Sequence, residues 1–171
     1  GVRPNRAHRK LAELEEAGKL RAVITQNIDG LHQEAGSKKV LELHGSILRA
    51  YCSRCRKPWP QDVINHGTGV PRCDCGGVIR PDVTLYEEAL PDDAVRMSIR
   101  AIQDADMMII GGTSLRVYPA NSYIHYFHGK HMVIINRESL DLRLDPDHDL
   151  EINDPIGQVF RETAKLLGIE L

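Results

Sequence analysis

Near the start of the chain, apolar residues recur with a helical period. Ala7, Leu11, Leu14 and Ala17 share one face, Asn5 stands before them as a cap, and Gly18 follows as a stop. A helix is therefore expected over 5–17. The pattern then changes. Residues 22–25 form a short apolar strand, Leu31 to Ala35 a helical turn, and Val40 to Leu43 a second apolar run. Pro91 opens a helix carrying Ala94, Val95, Ile99 and Ile102, and Met107 to Ile110 make a wholly apolar strand ended by Gly111 and Gly112. A helix over 119–127, a strand over 132–135, a polar connector and a last helix over 155–167 complete the series. Asp154-Pro155 caps that last helix and Gly168 stops it.

Strands that alternate with helices and are apolar on both faces predict an α/β fold, a parallel sheet covered by helices. Such sheets bind ligands beyond the carboxyl ends of their strands. The tips here are polar. Strand 22–25 runs into Gln26, Asn27 and Asp29, strand 40–43 into His44 and Gly45, strand 107–110 into Gly111, Gly112, Thr113 and Ser114, and strand 132–135 into Asn136 and Arg137. Together they are expected to converge on one rim.

Composition narrows the function. A chain of 171 residues that is 42% hydrophobic builds one core, as one domain or a domain with an inserted module. A net charge of −2 excludes a general nucleic-acid or membrane-surface binder. No apolar run reaches membrane-span length, and no signal peptide opens the chain. It begins GVRPN without a Met, which suggests that an upstream segment has been removed.

The four cysteines all fall between residues 52 and 75. Cys52 and Cys55 form one close pair, Cys73 and Cys75 a second that is one residue tighter than usual. Two such knuckles suit a tetrahedral zinc site, because thiolate and Zn²⁺ match in softness and geometry; a redox disulfide pair is the alternative. With four cysteines the metal has no open position for water, so its role is structural. His44 differs from the other seven histidines, which read as surface residues. It follows an apolar strand on the rim, with Gly45 behind it, and an imidazole titrates where a general base must.

Several motifs occur in a fixed order: Pro4-Asn5…His8, Thr25-Gln26-Asn27-Ile28-Asp29, Leu43-His44-Gly45, the cysteine pairs, Arg80-Pro81-Asp82-Val83…Glu88…Leu90-Pro91, Gly111-Gly112-Thr113-Ser114-Leu115…Val117…Pro119, and Ile135-Asn136. In that order they resemble the sirtuin family of NAD-dependent protein lysine deacylases, in its bacterial form. The resemblance implies a Rossmann-like domain over 1–48 and 85–171 with a small zinc-ribbon-like module at 49–84. It also implies an enzyme with NAD as co-substrate and structural Zn²⁺, acting on an acyl-lysine protein or peptide. The lack of a signal peptide and the reduced thiols that zinc needs lead to the expectation of a cytoplasmic protein. The acyl oxygen would attack the nicotinamide ribose, nicotinamide would leave, and the acyl group would end on ADP-ribose.

By position in these motifs, His44 would be the base, with Asn27 and Asp29 lining the ribose–nicotinamide pocket and Gln26 contacting the ribose. Gly112, Thr113, Ser114 and Asn136 would hold the phosphate and adenosine portions. Val83, Leu85 and Tyr86 on one side and Val117 on the other would grip the peptide by strand addition. The family's usual Phe-Gly-Glu stands here as Tyr86-Glu87-Glu88. The strand and Gly-Ala-Gly turn that open the family are not found, so the chain is expected to be a fragment with weak NAD binding and little turnover. Mono-ADP-ribosyl transfer, or a non-catalytic zinc-stabilised interaction module, are the other readings.

Overall fold

A computed structural model describes residues 1–116, 118–140 and 142–166. Helix α1 (Arg6–Glu16) starts where expected. The Asn5 side chain accepts from the His8 N–H while the His8 ring accepts from the Asn5 N–H, so two otherwise unpaired donors are satisfied at once. Strand β1 (Val23–Thr25), the turn of helix α2 (Leu31–Glu34) and strand β2 (Val40–Glu42) follow, and β1 pairs with β2 in parallel, Val23 against Val40.

The cysteine segment builds an antiparallel sheet of β3 (Gly45–Cys52), β4 (Pro58–Trp59) and β5 (Ile79–Val83), ordered β4-β3-β5, with the short helix α3 (Asp62–Asn65) alongside. Its own small core consists of Ala50, Cys52, Cys73 and Ile79, backed by Trp59, Val63 and Ile64. The ladder begins at Gly45, directly after His44.

Helix α4 (Asp92–Gln103), strand β6 (Met107–Gly111), a 3-10 helix (Ala120–Tyr126), strand β7 (His131–Ile135), strand β8 (Leu150–Ile152) and helix α5 (Ile156–Leu166) complete the chain. Strands β6, β7 and β8 form a second parallel sheet in that order. Helix α1 packs on α2 and α5, and α4 packs on β2 and the 3-10 helix. The main core draws residues from both parallel sheets and from α4. Leu43, Ile102 and Tyr123 are buried there, with Ile24 from β1, Met108 from β6 and Val95 and Ile99 from α4 packed against them.

The expected α/β architecture with a small inserted sheet is present, and four details differ. The parallel strands hydrogen-bond as two sheets rather than one. Strand β6 lies at the edge of its sheet, so Met107 is 50% and Ile109 41% exposed, although every residue of the run is apolar. The segment after Pro119 winds as a 3-10 helix, and the polar connector contains β8. Gly168, expected to stop the last helix, lies outside the described residues, as does Val117.

Candidate functional site

The tips of the parallel strands form two groups. The first surrounds His44. Parallel pairing of β1 with β2 places Leu43 N–H on the Thr25 carbonyl (2.9 Å) and leaves the next side chain, His44, facing the tip of β1. His44 Nδ1 lies 2.9 Å from the carbonyl oxygen of Gln26. Behind it Gly45 has φ +75, and a Cβ there would strike the carbonyl of Asp82, so the β3–β5 ladder can begin beside His44 only with a glycine at this position. The Thr84 N–H reaches the His44 carbonyl at 3.0 Å, tying β5 to the same residue.

The loop 26–30 is held by its own polar side chains. Thr25 Oγ1 accepts the Asn27 N–H (3.1 Å) and Asp29 Oδ1 accepts the Leu31 N–H (3.0 Å). Strand β3 adds a third support, the Ile47 N–H on the Ile28 carbonyl at 3.0 Å. These bonds leave the Asn27 side chain exposed at the tip. A crowded polar loop at the end of a buried strand is thus a small hydrogen-bonded scaffold, whose Gln26 carbonyl meets His44 and whose Asp29 carboxylate acts on His8 and His32.

Two histidines expected at the surface belong to this group. His8 on α1 and His32 on α2 are half-buried, and their rings lie 4.6 Å apart, tilted by 56°. Burial pushes both imidazoles below their ordinary pKa, His8 adds to the effect on His32, and the Asp29 carboxylate opposes it in each. The other five, His66, His125, His128, His131 and His148, are exposed.

The second group lines a cleft of about 550 Å³ at the carboxyl ends of β6 and β7. Gly112, Thr113, Ser114 and Asn136 all border it. Gly111 lets α5 approach, since a Cβ there would meet Ile156 Cδ1 at 2.5 Å. The N-terminus of α5, at Pro155, Ile156 and Gly157, therefore opens onto the cleft, and first-turn N–H groups favour anions. Arg116 and Arg137 bring positive charge to the walls, Glu138 and Asp154 bring carboxylates suited to sugar hydroxyls. This donor set fits a phosphorylated nucleotide. Arg137, expected at the rim with Asn136, borders the cleft, while sequence reasoning missed Asn5, Arg116, Glu138 and Asp154; the one local signal was Asp154-Pro155 at the start of a helix.

Gln26, Asn27, Asp29 and His44 are not part of that cleft lining, so the expected single rim is realised as two neighbouring groups carried by separate sheets. Asn5 joins them. It borders the cleft, and its Oδ1 lies 2.9 Å from Nδ1 of His8, the ring that feels Asp29. Of the candidate peptide edge, Val83 is half-buried in β5, while Leu85 and Tyr86 are 59% and 98% exposed.

The four cysteine sulfurs all lie within 4.8 Å of one another, with Cys52 to Cys75 at 3.5 Å and Cys55 to Cys73 at 3.7 Å. A tetrahedral zinc with bonds of about 2.3 Å requires sulfur–sulfur edges of about 3.8 Å, so the cluster fits. The N–H of Cys55, and then that of Arg54, holds the Cys52 thiol down to about 6. At Cys55 the Lys57 N–H is outweighed by the crowded neighbouring thiols, which push it up to about 11, so the cluster gathers negative charge that a bound cation would relieve. Gly77 is needed at the second knuckle because a Cβ would come within 2.7 Å of Cys52 Sγ. Among the described residues no other group of three or more His, Cys, Asp or Glu side chains has metal-binding geometry. Nor is any helix among them long and apolar enough to cross a membrane.

Comparison with known proteins agrees with this geometry. A family model described as Sir2 family matches residues 1–119. An NAD-dependent protein deacetylase of Clostridium perfringens is 56% identical over 160 residues, covering 92% of this chain and 65% of that protein. One from Clostridium acetobutylicum is 53% identical over 161 residues, covering 93% and 65%. The chain thus spans about 65% of the length of these curated relatives. A solved structure described as Sir2-p53 peptide-NAD+ superposes with a TM-score of 0.88 at 43% identity, over 99% of this chain and 72% of that one. A Sir2 complex with an inhibitor, 2'-O-acetyl-ADP-ribose and deacetylated p53-peptide gives 0.87 at 42% identity, over 98% and 74%.

Proposed function

This chain belongs to the Sir2 family, and on that premise we propose that it forms the larger part of an NAD-dependent protein lysine deacylase acting on acetyl-lysine. The observation that carries the reading is the contact between His44 Nδ1 and the Gln26 carbonyl, which leaves Nε2 as the free base at the foot of the loop that carries Asn27 and Asp29. NAD, when bound, supplies the ribosyl carbon that the acyl oxygen attacks as nicotinamide leaves. His44 Nε2 takes a proton from a ribose hydroxyl. Asn27 and Asp29 orient the ribose and the nicotinamide amide, and Gln26 supports the same sugar.

In the cleft, Gly112 allows close approach to the phosphates, Thr113, Ser114 and the first turn of α5 donate to them, and Asn136 contacts the adenosine portion. The peptide lies as an added strand along Val83, Leu85 and Tyr86. The thiolates of Cys52, Cys55, Cys73 and Cys75 hold zinc as a structural ion. Thiols that must stay reduced to hold a metal support a cytoplasmic location. The organisation that follows is an NAD domain over 1–48 and 85–171 interrupted by the zinc module at 49–84.

The test is to incubate the protein with labelled NAD and an acetyl-lysine peptide. Nicotinamide, free lysine peptide and soluble O-acetyl-ADP-ribose in equal amounts are expected. Label retained on protein would replace deacylation with ADP-ribosyl transfer, and no heat on calorimetric titration with NAD would reduce the chain to an interaction module.

A further inference from the structure

Where β5 ends, the backbone leaves the sheet as a loop that exposes two large apolar side chains, Leu85 at 59% and Tyr86 at 98%. The loop is nevertheless held by a closed ring of bonds. Arg80, on β5, meets Glu88 through both arms of its guanidinium, NH1 to Oε1 and NH2 to Oε2, the latter at 2.9 Å. The same NH2 donates to the Val83 carbonyl at 2.9 Å. Glu88 Oε2 also accepts the Leu85 N–H at 2.9 Å, and the Glu88 N–H donates to the Leu85 carbonyl at 3.1 Å. Arg80 and then the Leu85 N–H draw the Glu88 carboxyl down to about 2, so the pair stays ionised through the physiological range. The ring closes over Glu87, which takes a left-handed φ of +69.

Stability alone does not account for this arrangement. A solvent-exposed ion pair adds little to stability, and a non-glycine residue in left-handed geometry carries a cost of its own. Leu85 and Tyr86, meanwhile, stay in water. What the ring does supply is a fixed position. The Thr84 N–H is bonded to the His44 carbonyl at 3.0 Å, so a loop locked at Val83 and Leu85 is locked in register with that histidine. A strand that adds to an already ordered edge avoids the entropy of ordering it.

We propose that Arg80 and Glu88 are positioning residues for the acyl-lysine peptide, a clasp that holds the Val83–Tyr86 edge at the height His44 requires. The inference rests on the reading above, in which this edge receives the peptide. Neither side chain touches the reacting atoms.

The experiment compares Glu88→Gln, Arg80→Met and Arg80→Lys with wild type in the full-length protein. It reads peptide and NAD KM, kcat, and the anisotropy of a fluorescent acetyl-lysine peptide, which needs no turnover. Glu88→Gln and Arg80→Met are expected to raise peptide KM and Kd about tenfold, well beyond any change in NAD KM, with Arg80→Lys in between because it keeps the charge and loses the fork. A clasp that only stabilised the fold would lower the melting temperature and kcat and leave peptide Kd alone. Wild-type turnover with unchanged peptide Kd in all three variants overturns the clasp and spares the deacylase reading. Peptide binding that the variants weaken, in a wild-type protein that releases no nicotinamide, overturns the deacylase reading and spares the clasp.

Discussion

His44 Nδ1 lies 2.9 Å from the main-chain oxygen of Gln26. A carbonyl oxygen only accepts, so in the neutral ring Nδ1 carries the proton and Nε2 keeps its lone pair. The base is therefore prepared by backbone, and no side chain has to orient it. His44→Ala is expected to lower O-acetyl-ADP-ribose formation by about 10²- to 10⁴-fold, the usual loss for a positioned general base. Gln26→Ala keeps the carbonyl and should cost less, chiefly in NAD KM. Equal losses in kcat from the two substitutions would mean that the carbonyl contact does not prepare the base.

Cys52 and Cys73 are at once metal-binding candidates and members of the module's small core. Removing one thiolate therefore takes away both a ligand and the reason for the two knuckles to meet. Cys73→Ser is expected to drop zinc from one per chain to near none, as read by metal analysis. It should also open the amides of residues 45–83 to hydrogen exchange, because zinc binding on the order of 10 kcal/mol is largely folding energy in such modules. A chain that kept its melting curve without zinc would show the metal to be dispensable for the fold.

The parts of this picture that were legible beforehand are those set by neighbours in sequence. The Asn5 cap and the period of α1 involve one turn of helix, and the cysteine spacings are imposed by one ion's geometry. Strand β8 was not legible because Leu150–Ile152 becomes a strand only by pairing with β7, against Val133 to Ile135. Met107 and Ile109 were misjudged because an apolar residue does not reveal whether its strand lies at an edge. His8 and His32 are 24 positions apart in numbering, and nothing local says that α1 and α2 will set their rings together. Four polar strand tips predict a single rim only if their strands share one sheet. The structure divides them between two, with Asn5 as the link.

Glu87 sits at φ +69, a region that an L side chain adopts at a cost and a glycine adopts freely. Glu87→Gly should therefore relieve strain inside the Arg80–Glu88 ring without removing any bond of it. The denaturant midpoint is expected to rise by an amount equivalent to about 0.5–1 kcal/mol, partly offset by the greater freedom glycine gives the unfolded chain. Urea titration with an unchanged slope is the measurement. A fall in the midpoint would show that the Glu87 side chain contributes more than its backbone costs.

The half-buried pair His8 and His32 makes stability depend on pH in a definite direction. Burial holds both imidazoles below their ordinary value of 6.5, and Asp29 opposes this without overcoming it. As pH falls through 6.5, the unfolded chain takes up these protons before the folded one, and unfolding becomes easier. Their contribution is thus fully present above about pH 6.5 and is lost progressively as pH drops toward the lowered folded values. Depressed carboxylates act in the same direction at more acid pH, because Glu88 is held at about 2 and Asp149 below its usual 3.8. The interval from about pH 7 to pH 5 lies above these carboxylates; the Cys52 thiol, held at about 6, also titrates within it, so the difference between the parent chain and a histidine variant reads the histidine share. The urea midpoint should fall across that interval in the parent chain, and fall less steeply in His32→Asn. A flat midpoint would mean that both rings become charged within the folded protein, with Asp29 as their counter-ion rather than their neighbour.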